Sequence, residues 1–139
     1  MPTWTIHALL SLLGFSSIYI LLKILTLFKI NAIIINFWFF ASLTLGFLVF
    51  AVIRKVDFAV PKSSLIVFLA LALVGIFGNH YYVRAYEAAP NPGYVDGIIS
   101  FATVVLVLFS FFFLGSSLTA AKLLGIVLVV SGVLLLTFS

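Results

Sequence analysis

The chain has 139 residues, of which 65% are hydrophobic and 7% charged, with seven Lys and Arg against three Asp and Glu, no Cys and a mean hydropathy of +1.43. Water-soluble domains run near a quarter charged residues because a folded surface has to be solvated, so this composition excludes a soluble globular domain and most soluble enzyme classes. The missing Cys excludes disulfides, thiolate metal sites and cysteine nucleophiles, and the net charge of +4 is explained by Lys and Arg in loops between membrane spans, which leaves nucleic acid out as a partner.

A bilayer takes about 20 apolar residues per span, so the length accommodates four or five transmembrane helices. The first apolar run, about 4–24, is too long and has the wrong flanks for a cleaved signal peptide; it predicts a span with Trp4 near one interface and Lys23 or Lys29 near the other. Asn31 reads as the N-cap of a second span over about 32–53. The polar stretch from Arg54 to Ser64, broken by Pro61, reads as a loop before a third span over about 65–86. Pro90 stops that helix, and Asn91-Pro92 reads as N-cap and first residue of a fourth over about 92–114. Gly115-Ser116-Ser117 ends it, and a fifth runs over about 119–138. The predicted fold is an all-α integral membrane protein, five transmembrane helices in one domain over 1–139.

Five spans place the chain ends on opposite sides. Arg54, Lys55, Lys62 and Lys122 fall on the N-terminal side and Lys23, Lys29 and Arg84 on the other. With Lys23 and Arg84 inside the bundle, the basic excess makes the N-terminal side cytoplasmic; the raw count of four against three leaves dual insertion open.

Ionisable groups in a bilayer cost roughly 2.5 to 3.5 kcal/mol on insertion scales, so those that remain face a cavity or a partner. Here they gather at the end of the third span and the start of the fourth. His80, Arg84 and Glu87 recur at helical spacing on one face, and Asn79, Tyr82 and Tyr86 on the adjoining one. Asp96, Ser100, Thr103 and Ser110 form a stripe on the fourth span, and two such stripes meeting across the proline turn would line an aqueous vestibule. Tyr19 and Lys23 add a polar face on the first span. Each has a plainer reading: Arg84 and Glu87 as an interfacial ion pair, the tyrosines as an aromatic belt, the hydroxyls bonded back to their own helices, and Lys23 snorkelling to the interface. Gly75 and Gly78 on the third span, and Gly125 and Gly132 on the fifth, offer flat patches for helix packing or dimerisation.

No metal-ligand cluster, phosphate loop or nucleophile beside a base is present, so the sequence predicts no enzyme activity, metal or cofactor. His7 and His80 fall toward opposite ends of the membrane, which argues against a shared metal.

Three segments carry a resemblance. Tyr82-Val83-Arg84-Ala85-Tyr86-Glu87-Ala88-Ala89-Pro90, Phe113-Leu114-Gly115-Ser116-Ser117-Leu118-Thr119 and Gly125-Ile126-Val127-Leu128-Val129-Val130-Ser131-Gly132-Val133 are similar, in order and spacing, to the third-helix end, fourth-helix exit and last helix of one EamA-type domain of the drug/metabolite transporter superfamily. Ser116 stands where the family commonly has Glu after Leu-Gly, so a role for that acid does not carry over. The first half matches only in hydropathy and in the polar residues of its first span.

The resemblance implies a half-transporter repeat: such proteins commonly pair two five-helix domains as an inverted repeat around a substrate path, a general plan of secondary transporters. It implies a small-metabolite or drug transporter of the prokaryotic plasma membrane, working by alternating access as a homodimer, parallel or antiparallel, or with a related subunit. Substrate would meet the polar faces of the third and fourth spans together with Tyr19 and Lys23; Asp96 and Glu87 would couple protons or cations, and His80 and Arg84 would meet anionic groups. A lipid-linked sugar flippase subunit and a non-transporting assembly or regulatory subunit are the alternatives.

Overall fold

The computed structural model describes residues 3–138, without the side chain of Trp4, so the expected seat of Trp4 at an interface lies outside what is described. The helices are α1 (Thr3–Leu27), α2 (Ala32–Ile53), α3 (Leu65–Ala88), α4 (Pro92–Ile99), α5 (Ala102–Phe113) and α6 (Ala120–Phe138), with one 3₁₀ turn at Lys62–Ser64 and no strand among the described residues. Five spans are long and apolar enough to cross a membrane, α4 and α5 forming the fourth together. The shortest, Ala120–Phe138, has 19 residues, or about 28 Å at 1.5 Å per residue, close to the thickness of the hydrocarbon layer. The protein is an all-α, multi-pass integral membrane protein.

Local chemistry sets the helix ends. Asn31 turns the chain into α2, its side-chain oxygen accepting from the Ile33 N–H at 2.8 Å. Asn91 does the same for α4, accepting from the Gly93 N–H at 2.9 Å, with Pro92 at the first helical position, where its missing donor costs nothing. The end of α2 closes through a left-handed residue, Lys55, with Val56 N–H bonded to the Ala51 carbonyl and Lys55 N–H to that of Val52. Lys29 plays the same left-handed part after α1, and Gly115 after α5.

The expected fourth helix is two helices, because its ladder breaks at Ser100. The Ser100 hydroxyl donates to the Gly97 carbonyl, the acceptor that an α-helix would offer to the Phe101 N–H. Phe101 N–H bonds instead to Ile98 O at 3.1 Å, and Thr103 N–H to Ser100 O at 2.9 Å, so the backbone passes through 3₁₀-type bonds before α5 begins.

The chain forms two compact units, Met1–Ala88 and Ala89–Ser139. In the first, α1, α2 and α3 pack together. The buried side chains are Leu22 and Thr26 near the end of α1, Ala32 and Ile35 at the start of α2, and Val83 and Tyr86 near the end of α3. With short connections reversing the chain, these positions share one end of the three-helix unit, and Tyr86 there is 0% exposed. The remaining leucines and phenylalanines of these helices are largely exposed, as suits surfaces solvated by lipid tails.

In the second unit, α6 packs on α4 and on α5, and Val95 and Val104 are buried. At Gly97 α4 comes close to α6, and an added Cβ would collide with the end of the Leu136 side chain. Nothing lies within 4 Å of a Cβ added at Gly75, Gly78, Gly125 or Gly132.

Candidate functional site

Within the first unit, four of the expected residues come together. The Lys23 amine donates to the backbone carbonyl of Tyr86 at 2.8 Å. That carbonyl belongs to the last turn of α3, whose carbonyls lack intrahelical donors and carry the negative end of the helix dipole, so a cation is well placed there. Lys23 is half-buried, and its amine ends on a neighbouring helix.

Three tyrosines flank this contact. Tyr82 donates to the Tyr86 hydroxyl at 2.9 Å, their rings 4.7 Å apart. The Tyr19 ring meets both edge-on, at 5.9 Å from Tyr82 and 6.4 Å from Tyr86. Such edge-to-face pairs add roughly 0.5–1.5 kcal/mol beyond the area they bury. Lys23, Tyr19, Tyr82 and Tyr86 thus form a polar and aromatic cluster on the α1–α3 seam.

A second polar link joins α2 and α3. The Asn36 amide donates to the Asn79 carbonyl at 3.3 Å and to Ala32 O in its own helix at 2.9 Å, while the Asn79 side chain donates to Gly75 O. Sequence reasoning missed Asn36; its signal was a lone carboxamide in the apolar run from Ala32 to Ala41, a residue type that bonds across helices in lipid. Thr26 was also missed: it is buried, with its hydroxyl bonded to Lys23 O at 2.7 Å.

Arg84 and Glu87 pair with each other at 3.2 Å, with 62% and 39% of their side chains exposed, the geometry of the plainer ion-pair reading. His80 is half-buried, its ring 5.3 Å from that of Tyr81. In the second unit, Asp96 is half-buried on α4 and the Ser100 hydroxyl returns to Gly97 O. Thr103 and Ser110 line an open groove of about 210 Å³ with Ser116, Ser117 and Lys122. No group of three or more His, Cys, Asp or Glu is placed to hold a metal among the described residues.

The family model described as EamA-like transporter family matches residues 2–138. No curated protein and no solved structure matches the chain. The match spans all five membrane helices and both compact units, and it carries a transporter-like role in the membrane in general terms. The chain belongs to the EamA-like transporter family.

Proposed function

We propose that the chain is a subunit of a secondary transporter for small metabolites or drugs, and that its two compact units act as one five-span domain. The observation that supports this best is the Lys23 amine held on the Tyr86 carbonyl beside three tyrosines, in the seam between two membrane spans. An ionisable group retained in a membrane span at an energetic cost points to a substrate or ion path. A backbone carbonyl, an amine and tyrosine faces would suit a ligand with both polar and flat apolar parts.

In this reading Tyr19, Lys23, Asn79, His80, Tyr82, Arg84, Tyr86 and Glu87 of the first unit serve the path, and Asp96, Ser100 and Thr103 of the second serve coupling and substrate contact. Five spans pair with a second set, a copy of this chain, to complete an alternating-access pathway. The open surroundings of Gly75, Gly78, Gly125 and Gly132 leave room for another helix to approach. The setting is a prokaryotic plasma membrane with the N-terminus cytoplasmic, and the chemistry requires neither metal nor cofactor.

The test is uptake by purified protein in liposomes under a proton or sodium gradient, with ethidium and a set of radiolabelled amino acids as probes. Wild type is expected to accumulate at least one of them above empty liposomes, and Asp96→Asn and Arg84→Gln to slow it. Wild-type rates in both variants would defeat the residue assignment; no accumulation of any probe under either gradient would count against the transporter reading. A reporter at the C-terminus, active on one side only, separates an antiparallel pair, which gives signal from both sides, from a parallel one.

A further inference from the structure

The groove in the second unit has a polar, cationic end and an apolar wall. Ser116, Ser117 and Lys122 lie at the α5–α6 turn, where the spans reach the interface, and Thr103, Leu106, Val107 and Ser110 continue the groove along α5. The latter four recur at i, i+3, i+4 and i+7 on one helix face, a strip about 10 Å long at 1.5 Å per residue. The groove therefore runs from headgroup depth into the hydrocarbon layer.

Lys122 is the sole charged side chain after Asp96 in the sequence. Its amine donates to the Ser117 carbonyl at 2.6 Å, which holds it over the turn and leaves two N–H donors for another partner. The hydroxyls of Ser17, Thr26 and Thr137 bond back to their own helices. Those of Thr103, Ser110, Ser116 and Ser117 have no hydrogen-bond partner among the described residues, so the groove presents open donors beside an uncompensated cation.

We propose that this groove binds one anionic phospholipid, with its headgroup phosphate on Lys122 and the Ser116 and Ser117 hydroxyls and an acyl chain against Leu106 and Val107. The charge of the cationic end matches a phosphodiester whose headgroup carries no cation of its own. The apolar wall gives the occupant a tail, which a free phosphate ion lacks. A zwitterionic lipid would bring its own ammonium group up to Lys122, where like charges repel.

Native mass spectrometry of the full chain, released from nanodiscs of equal phosphatidylglycerol and phosphatidylcholine, tests the site. Wild type is expected to retain phosphatidylglycerol over phosphatidylcholine by about fivefold, the factor for one basic residue at an anionic surface. Lys122→Gln is expected to fall to parity, and Lys62→Gln, which lies outside the groove, to keep the preference. Ser110→Leu fills the groove without changing charge and is expected to lose bound lipid; its elution as a folded species on size exclusion keeps that loss interpretable. Parity in wild type, an unchanged preference in Lys122→Gln, or full lipid retention by folded Ser110→Leu would overturn the proposal. Displacement of the lipid by millimolar inorganic phosphate would also overturn it, by showing a site for the free anion.

Discussion

The Lys23 amine lies 2.8 Å from the Tyr86 carbonyl and so ties α1 to the last turn of α3 across 63 residues of sequence. Tyr86 is fully buried and its hydroxyl accepts from Tyr82, so one residue is held through both its backbone and its side chain. Lys23→Met keeps the aliphatic stem and removes the donor, leaving a carbonyl in the α1–α3 seam without its cation. A lost hydrogen bond from a charged donor costs about 1.5–3 kcal/mol, of which the relieved desolvation of the amine returns part. The expected outcome is a lower thermal-aggregation midpoint in detergent, with Lys23→Arg recovering most of it. Equal midpoints for wild type and Lys23→Met would show that the tie contributes nothing to stability.

Asn36 and Asn79 make different predictions although they sit on the same α2–α3 link. Asn36→Leu removes the side-chain donor that crosses between helices, at an expected cost of about 0.6 kcal/mol and at most about 1.7. Asn79→Leu leaves the backbone acceptor of that bond in place and removes only a bond within α3. The midpoint should therefore fall more in Asn36→Leu, and any loss of uptake more in Asn79→Leu if Asn79 belongs to the path. The reverse ranking in stability would refute the link as drawn.

What the sequence reveals divides by range. The caps at Asn31 and Asn91 are readable because a side chain bonding two residues onward is local chemistry. The five spans are readable because each is a run of apolar residues long enough to cross. The Lys23 to Tyr86 contact is not, since spacing says which face a residue occupies and nothing about which helix meets it. The glycines show the same limit: composition does not single out Gly97, where an added Cβ would meet Leu136 of a neighbouring helix. The break at Ser100 is not legible, because nothing in the composition of that run marks where the backbone passes to 3₁₀-type bonds.

Gly97→Ala is expected to strain the α4–α6 contact, because the added Cβ would meet the end of the Leu136 side chain. A leucine tip can change rotamer, so the cost should stay near the low end of overpacking, about 1 kcal/mol. Leu136→Ala in the same chain should relieve the strain, leaving the double variant more stable than the sum of the single effects. Additive effects in a double-mutant cycle of thermal midpoints would rule the contact out.

The helix ends at Lys55 and Gly115 predict opposite signs for opposite substitutions. Lys55 holds φ at 53°, in the left-handed region that a side chain disfavours by about 1–2 kcal/mol. Lys55→Gly removes that penalty but adds unfolded-state freedom worth about 0.5–1 kcal/mol, so a net gain of about 0.5 kcal/mol is expected. Gly115 holds φ at 66°, turning the chain so that Ser116 N–H bonds to Ser110 O at 3.1 Å. No neighbour lies within 4 Å of an added Cβ, so Gly115→Ala isolates the backbone penalty from any clash. Its expected cost is about 1 kcal/mol, read as a lower midpoint. Lys55→Gln, which drops the charge and keeps the side-chain penalty, separates the two causes at the first site: a gain from Lys55→Gln equal to that from Lys55→Gly would trace the effect to charge and remove the conformational argument.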